Sequence, residues 1–152
     1  MDDRGNVNDI RAELAPLVCK RGVGLGGLTH PQRELALAVA AHALPLGASA
    51  SESEVNLALK QALLAEARFL DTDHVELRRW LVDIGWWQRD GFGRAYRRTA
   101  EDELRPALQA IDAALAGLDL PAWIGERLTE HRTQREARRA AWAPRDSEEA
   151  ND

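Results

Sequence analysis

Six arginines and one histidine between positions 74 and 98 are the side chains of this sequence best suited to chemistry, and that chemistry is the recognition of anions. A guanidinium presents a planar fork of donors that matches a phosphate or the O6/N7 edge of guanine. Arg78 and Arg79 fall on a predicted helix over 73–84, with His74 and Thr72 at its start, where free amides favour phosphate. Arg89, Arg94, Arg97 and Arg98 flank Gly91-Phe92-Gly93 in two short β-prone runs. Glycines at the tip let it approach a backbone closely, and Phe92 offers an apolar wedge or a contact for a sugar. The expected partner is double-stranded DNA. The same groups also have structural uses: Arg79 and Asp83 stand i,i+4, Arg78 can pair with a neighbouring acidic segment, and exposed hairpins carry arginine to discourage edge pairing.

Other chemistries find little support. Cys19 is the only cysteine, so neither an intrachain disulfide nor a cysteine-rich zinc site can form. His30, His42, His74 and His131 lack metal-ligand spacing, and His42, on an apolar helix, is expected in the core. The run from Gly22 to Gly27 follows a helix rather than a strand and no Walker lysine closes it, so it reads as a structural loop. No local signature of a nucleophilic triad is present. No enzyme activity, cofactor or metal is expected.

The 152 residues carry a formal charge of -5, with 45 % hydrophobic and 30 % charged residues, a globular balance that argues against a chain wholly devoted to nucleic acid. The start, Met1-Asp2-Asp3-Arg4, is acidic with no apolar run behind it, so no secretory signal is expected. No stretch approaches the ~18 consecutive apolar residues of a membrane span. A cytoplasmic protein without membrane contact is the expectation.

The elements that must position the arginines follow from caps and periodicity. A helix is predicted over 8–20, capped by Asn8. Thr29 and Gln32 form a capping box for a second, almost wholly apolar helix that Pro45 and Gly47 stop. Ser51 and Glu54 repeat the signal for a third, and the stretch 64–70 either continues it or forms a turn. Asp73 with Glu76 opens the helix over 73–84, and Gly85 ends it. Leu77, Leu81, Ile84 and Trp80 then share one face, with Arg79 opposite. The β-hairpin follows over 86–98. Trp80, Trp86 and Trp87 read mostly as core, although strand alternation would leave Trp86 or Trp87 exposed to a partner. Val75 and Val82, exposed on the 73–84 helix, favour a protein contact or packing against the C-terminal helices. The fold class is therefore mainly α with a small β-hairpin: a winged helix-turn-helix core with N- and C-terminal helical extensions.

Within this core the residues Glu54-Val55-Asn56, Leu59, the string from Asp73 through Asp83, Gly85, Arg89-Asp90 and Tyr96-Arg97 resemble the bacterial domain-of-unknown-function family 2087, over roughly residues 30–98. The stretch Leu77-Arg78-Arg79-Trp80-Leu81-Val82-Asp83-Ile84-Gly85 is similar to its "LRR-x-LVD-x-G" core. The resemblance implies a winged-helix-like fold associated with transcriptional regulation. The chain departs from the family in a longer spacing between Leu59 and Asp73 and in Phe92 at the wing tip.

Beyond the hairpin, Thr99 and Asp102 can open a further helix, with Pro106 as a kink or as its true first turn. Leu104, Leu108, Ile111, Leu115 and Leu118 alternate four and three apart, either packing back on the core or forming a dimer seam that would make a homodimer. A last helix over 121–142 ends rich in arginine, with Arg132 and Glu136 placed to pair. Four segments result: 1–28 as an N-terminal helix and glycine-rich connection, 29–99 as the winged-helix-like domain, 100–143 as a helical extension, and 144–152 as a disordered acidic tail. The rival to DNA is a protein partner, with the fold serving as an interaction module.

Overall fold

Helix starts in this chain are set by side chains that accept hydrogen bonds from otherwise unpaired amides. The computed structural model describes residues 7–92 and 94–150, with side chains as far as Trp142. Thr29 Oγ1 accepts from the Gln32 amide at 3.3 Å while Gln32 accepts from the Thr29 amide at 3.0 Å, opening α2 (His30–Ala41). Ser51 and Glu54 form the same box before α3 (Glu52–Leu63). Asp73 accepts from the Glu76 amide at 2.8 Å at the start of α4 (His74–Ile84), and Gly85, at φ +105°, ends that helix. Each of these signals is where the sequence placed it. The stretch after α3 resolves as a turn, pinned where Val23 bridges Leu70. Asn8 lies within the first helix, α1 (Val7–Val18), instead of capping it.

The hairpin is present as β2 (Trp87–Arg89) and β3 (Ala95–Arg98), and β1 (Ser49–Ser51) adds a third strand that sequence reading missed. The antiparallel order is β1-β3-β2, with Tyr96 opposite both Ala50 and Arg89. Three residues, Ser-Ala-Ser, are too few for an alternating pattern to register. Ser51 closes β1 and caps α3 at once.

Burial centres on α2, whose residues from Glu34 to Ala41 are all inaccessible. Trp86 and Trp87 both lie against it, and neither is exposed as strand alternation had suggested: their exposures are 2 % and 1 %. Trp86 precedes the strand, so the pleat does not govern its direction. Its indole N–H donates to the Glu34 carbonyl and that of Trp87 to the Ala41 carbonyl, each at 3.1 Å. These acceptors are seven residues apart, about 10 Å along the helix. The buried Glu34 carboxylate meets Arg105 at 3.2 Å and His30 at 3.4 Å. Arg105 also donates to the Ile84 carbonyl at 2.9 Å, holding the last turn of α4. Thr99, expected to open a helix, instead donates its hydroxyl to the Gly85 carbonyl at 2.7 Å.

The C-terminal helices are α5 (Pro106–Leu115) and α6 (Leu120–Ala150), so Pro106 is a true first turn. The candidate dimer seam is consumed by the chain's own core. Leu104, Leu108, Ile111 and Leu115 are buried and Leu118 is half-buried, with α5 packed chiefly on α1. An intramolecular partner is available, so the stripe has no free face to give to a second copy. Residues 144–150 continue α6 in place of the separate tail expected there, in keeping with the helix-favouring Glu148-Glu149-Ala150; Asn151 and Asp152 lie outside the described residues. No single helix among the described residues is long and apolar enough to cross a membrane.

Two stability changes follow. Gly85→Ala places a side chain at a left-handed position where its Cβ would meet only Leu108 at an ordinary 3.8 Å, so the cost is conformational. It should lower stability by about 1–2 kcal/mol in urea unfolding. Leu108→Ala should cost about 2–5 kcal/mol with a midpoint independent of protein concentration; a midpoint that rises with concentration would restore the dimer seam.

Candidate nucleic-acid interface

The face available to a ligand is made by α4 and the hairpin together. Leu77, Leu81 and Ile84 turn inward as the helical period requires, which leaves Arg79 exposed on the opposite side. In the sheet, Arg89, Trp87, Tyr96 and Arg98 share one face by register, while Gln88 and Arg97 share the other. Arg89 sits on the inner face but at its outer end, where it is exposed. Arg79 and Arg89 thereby border one concavity of about 160 Å³, together with Val82, Asp83 and Tyr96. From His74 to Arg98 the sequence holds six arginines against three carboxylates.

The seven residues singled out for nucleic acid divide into three groups. Arg78 is committed internally: its guanidinium lies 2.6 Å from Asn56 Oδ1 and 3.2 Å from Glu52, stacks 5.6 Å from the Tyr96 ring, and is 15 % exposed. Arg98 is likewise held, by Asp112 at 3.2 Å and His42 Nε2 at 3.3 Å, and is 10 % exposed. Neither is available to DNA, because withdrawing it would strand the groups that it satisfies inside the fold. Arg97 makes a solvent-exposed pair with Glu103 at 3.5 Å on the far face of the sheet. His74, Arg79, Arg89 and Arg94 form no ion pair among the described residues, and the three arginines are exposed. The Arg79–Asp83 pair that helical spacing permits does not form.

The hairpin tip is ordered by a carboxylate. Asp90 Oδ1 accepts from the Phe92 amide at 3.1 Å and the Arg94 amide at 2.9 Å, which leaves Phe92 projecting at 87 % exposure. Gly93, at the same tip, lies outside the described residues. Sequence reading missed Arg33, which stacks 4.5 Å above Trp80 and donates to the Leu25 and Leu28 carbonyls, thereby fixing the glycine-rich connection against α4. No signal in the sequence marks such a stack. Among the described residues no group of three His, Cys, Asp or Glu side chains converges as a metal site would require.

His42 links this face to the core. Its Nδ1 lies 2.7 Å from the Ala38 carbonyl and its Nε2 faces Arg98, an arrangement that suits a neutral ring donating through Nδ1 and accepting at Nε2. Burial is the main force holding its pKa below the ordinary value, with Arg98 adding to it and the Ala38 bond opposing. The unfolded chain then binds the proton more readily than the folded one. Stability should be level above about pH 6.5 and fall as the pH drops below it, until the lowered folded-state pKa is reached. Urea unfolding between pH 5 and 8 should show this slope, and His42→Gln should flatten it.

The family model described as "Uncharacterized protein conserved in bacteria (DUF2087)" matches residues 29–98, from the cap of α2 to the end of β3. No curated protein and no solved structure matches the chain. Its central segment, Thr29 to Arg98, is thus similar to the DUF2087 family.

Proposed function

We propose that residues 29–98 are a winged-helix domain that binds duplex DNA, with α4 as recognition helix and the β2–β3 hairpin as wing, and that the protein serves in the cytoplasm as a transcriptional regulator or accessory factor. The observation that carries this reading is the convergence of Arg79, from the helix, with Arg89, from the hairpin, on one concavity while neither is engaged in an ion pair. The order of elements supports it: helix, short strand, two helices, then a hairpin that pairs back on the first strand. In this arrangement Arg79 faces a major groove, Arg89 and Arg94 meet phosphates, and His74 lies at the amide-rich helix start. Arg78 and Arg98 hold the helix and hairpin in register and do not touch DNA. Phe92, at the tip, is placed to lie against a sugar.

The rival use of this shape, docking a protein without DNA, loses one of its supports because Trp86 and Trp87 are both buried. Fluorescence anisotropy on labelled duplexes separates the two. Binding at ~50 mM salt should weaken as salt rises, with a log–log slope of about −3 for roughly three phosphate contacts. Arg79→Gln and Arg89→Gln should each weaken binding, and loss of a phosphate contact should reduce that slope by about 1. Arg78→Gln should lower stability instead. Absence of binding at ~50 mM salt, or binding indifferent to salt, overturns the proposal.

A further inference from the structure

We propose that a groove outside the family segment, between the end of α1, the turn before α4 and the middle of α6, binds a small molecule bearing an oligophosphate chain. Lys20 and Arg21 follow α1, Arg68 stands in the turn, and Arg132, Arg135 and Arg139 project from one face of α6 at i, i+3 and i+7. All six line one concavity of about 460 Å³, a volume in the range of small-molecule sites. Glu136 is the one carboxylate on its wall, with His131 beside it.

None of the six cations makes an ion pair among the described residues, although the chain as a whole is acidic. One turn earlier on α6, Arg127 pairs with both Glu126 and Glu130, so the absence of partners in the groove is local. The expected Arg132–Glu136 pair does not form. Like charges brought together repel, and an anion placed among them relieves that repulsion.

The walls of the groove are held in place. Val23 receives a bond from the Asp71 amide at 2.8 Å and gives one to the Phe69 carbonyl at 2.9 Å, which fixes Arg68 close to Arg21. Cys19 Sγ lies 3.5 Å from the Arg127 carbonyl, joining the end of α1 to α6. The apolar side chains Val18, Phe69 and Leu128 complete the lining and supply low-dielectric walls that concentrate the field of the cations. A duplex is convex and offers its phosphates in a track, whereas six charges gathered in one hollow match several phosphates of one compact ligand. Inorganic triphosphate and the phosphate chain of a nucleoside triphosphate share this chemistry.

Isothermal titration of the full chain with sodium triphosphate and with ATP, using sulfate at matched ionic strength as control, tests the site. Both oligophosphates should bind and sulfate should not. The double variant Arg68→Gln/Arg135→Gln, at exposed positions whose folding circular dichroism can verify, should weaken binding about tenfold or more. Equal affinity assigns recognition to the phosphate chain, and tighter ATP binding assigns the base to the apolar lining; either supports the proposal. Arg79→Gln/Arg89→Gln should leave triphosphate binding unchanged, which separates this site from the DNA face. The proposal is overturned if neither oligophosphate binds or if the double variant binds as the native chain does. It is equally overturned if only duplex DNA binds and the double variant loses it, since the groove would then be a nucleic-acid surface.

Discussion

A helix buried on every side imposes one condition on the rest of the molecule: whatever polar groups it carries inward must find partners on other elements. Here α2 meets that condition with two indoles and a guanidinium. Trp86 and Trp87 donate to its carbonyls at Glu34 and Ala41, and Arg105 answers the Glu34 carboxylate. Leaving any of these groups buried without a partner costs free energy comparable to a lost hydrogen bond or more. The start of β2, and through it the hairpin, is thereby tied to α2. The position of the exposed arginines is a downstream consequence.

That chain of dependence explains why the cationic face is smaller than its sequence implies. Arg78 and Arg98 sit where α4 and β3 join α3 and α5, and the acidic groups Glu52 and Asp112 are already waiting there. Arginine is chosen at such a joint for the same reason that it suits DNA, a planar fork with several donors. Residue type therefore cannot separate the two uses. Only the position of the carboxylates can.

What was legible from the sequence was local. The capping pairs at Thr29, Ser51 and Asp73, the left-handed glycine at 85 and the glycine-flanked hairpin all operate within a few residues, so spacing reveals them. What was missed depends on residues far apart. Arg78 is 26 positions from Glu52, Trp86 is 52 from Glu34, and the basic groove joins Arg21 to Arg132 and its neighbours across the whole chain. β1 escaped because a three-residue strand exists only by pairing with β3. The leucine stripe on α5 was read correctly as apolar, but periodicity does not say against what it packs.

The contact between Glu34 and Arg105 crosses the border of the family segment, which ends at Arg98. The matched segment and the hydrophobic core thus have different edges in this protein. A gene fusion that carried only residues 29–98 into another chain would bring along the interior Glu34 carboxylate with His30 while leaving behind Arg105, which also reaches the Ile84 carbonyl. The new host would then have to brace the last turn of α4, which Arg105 ties to α2 in this chain.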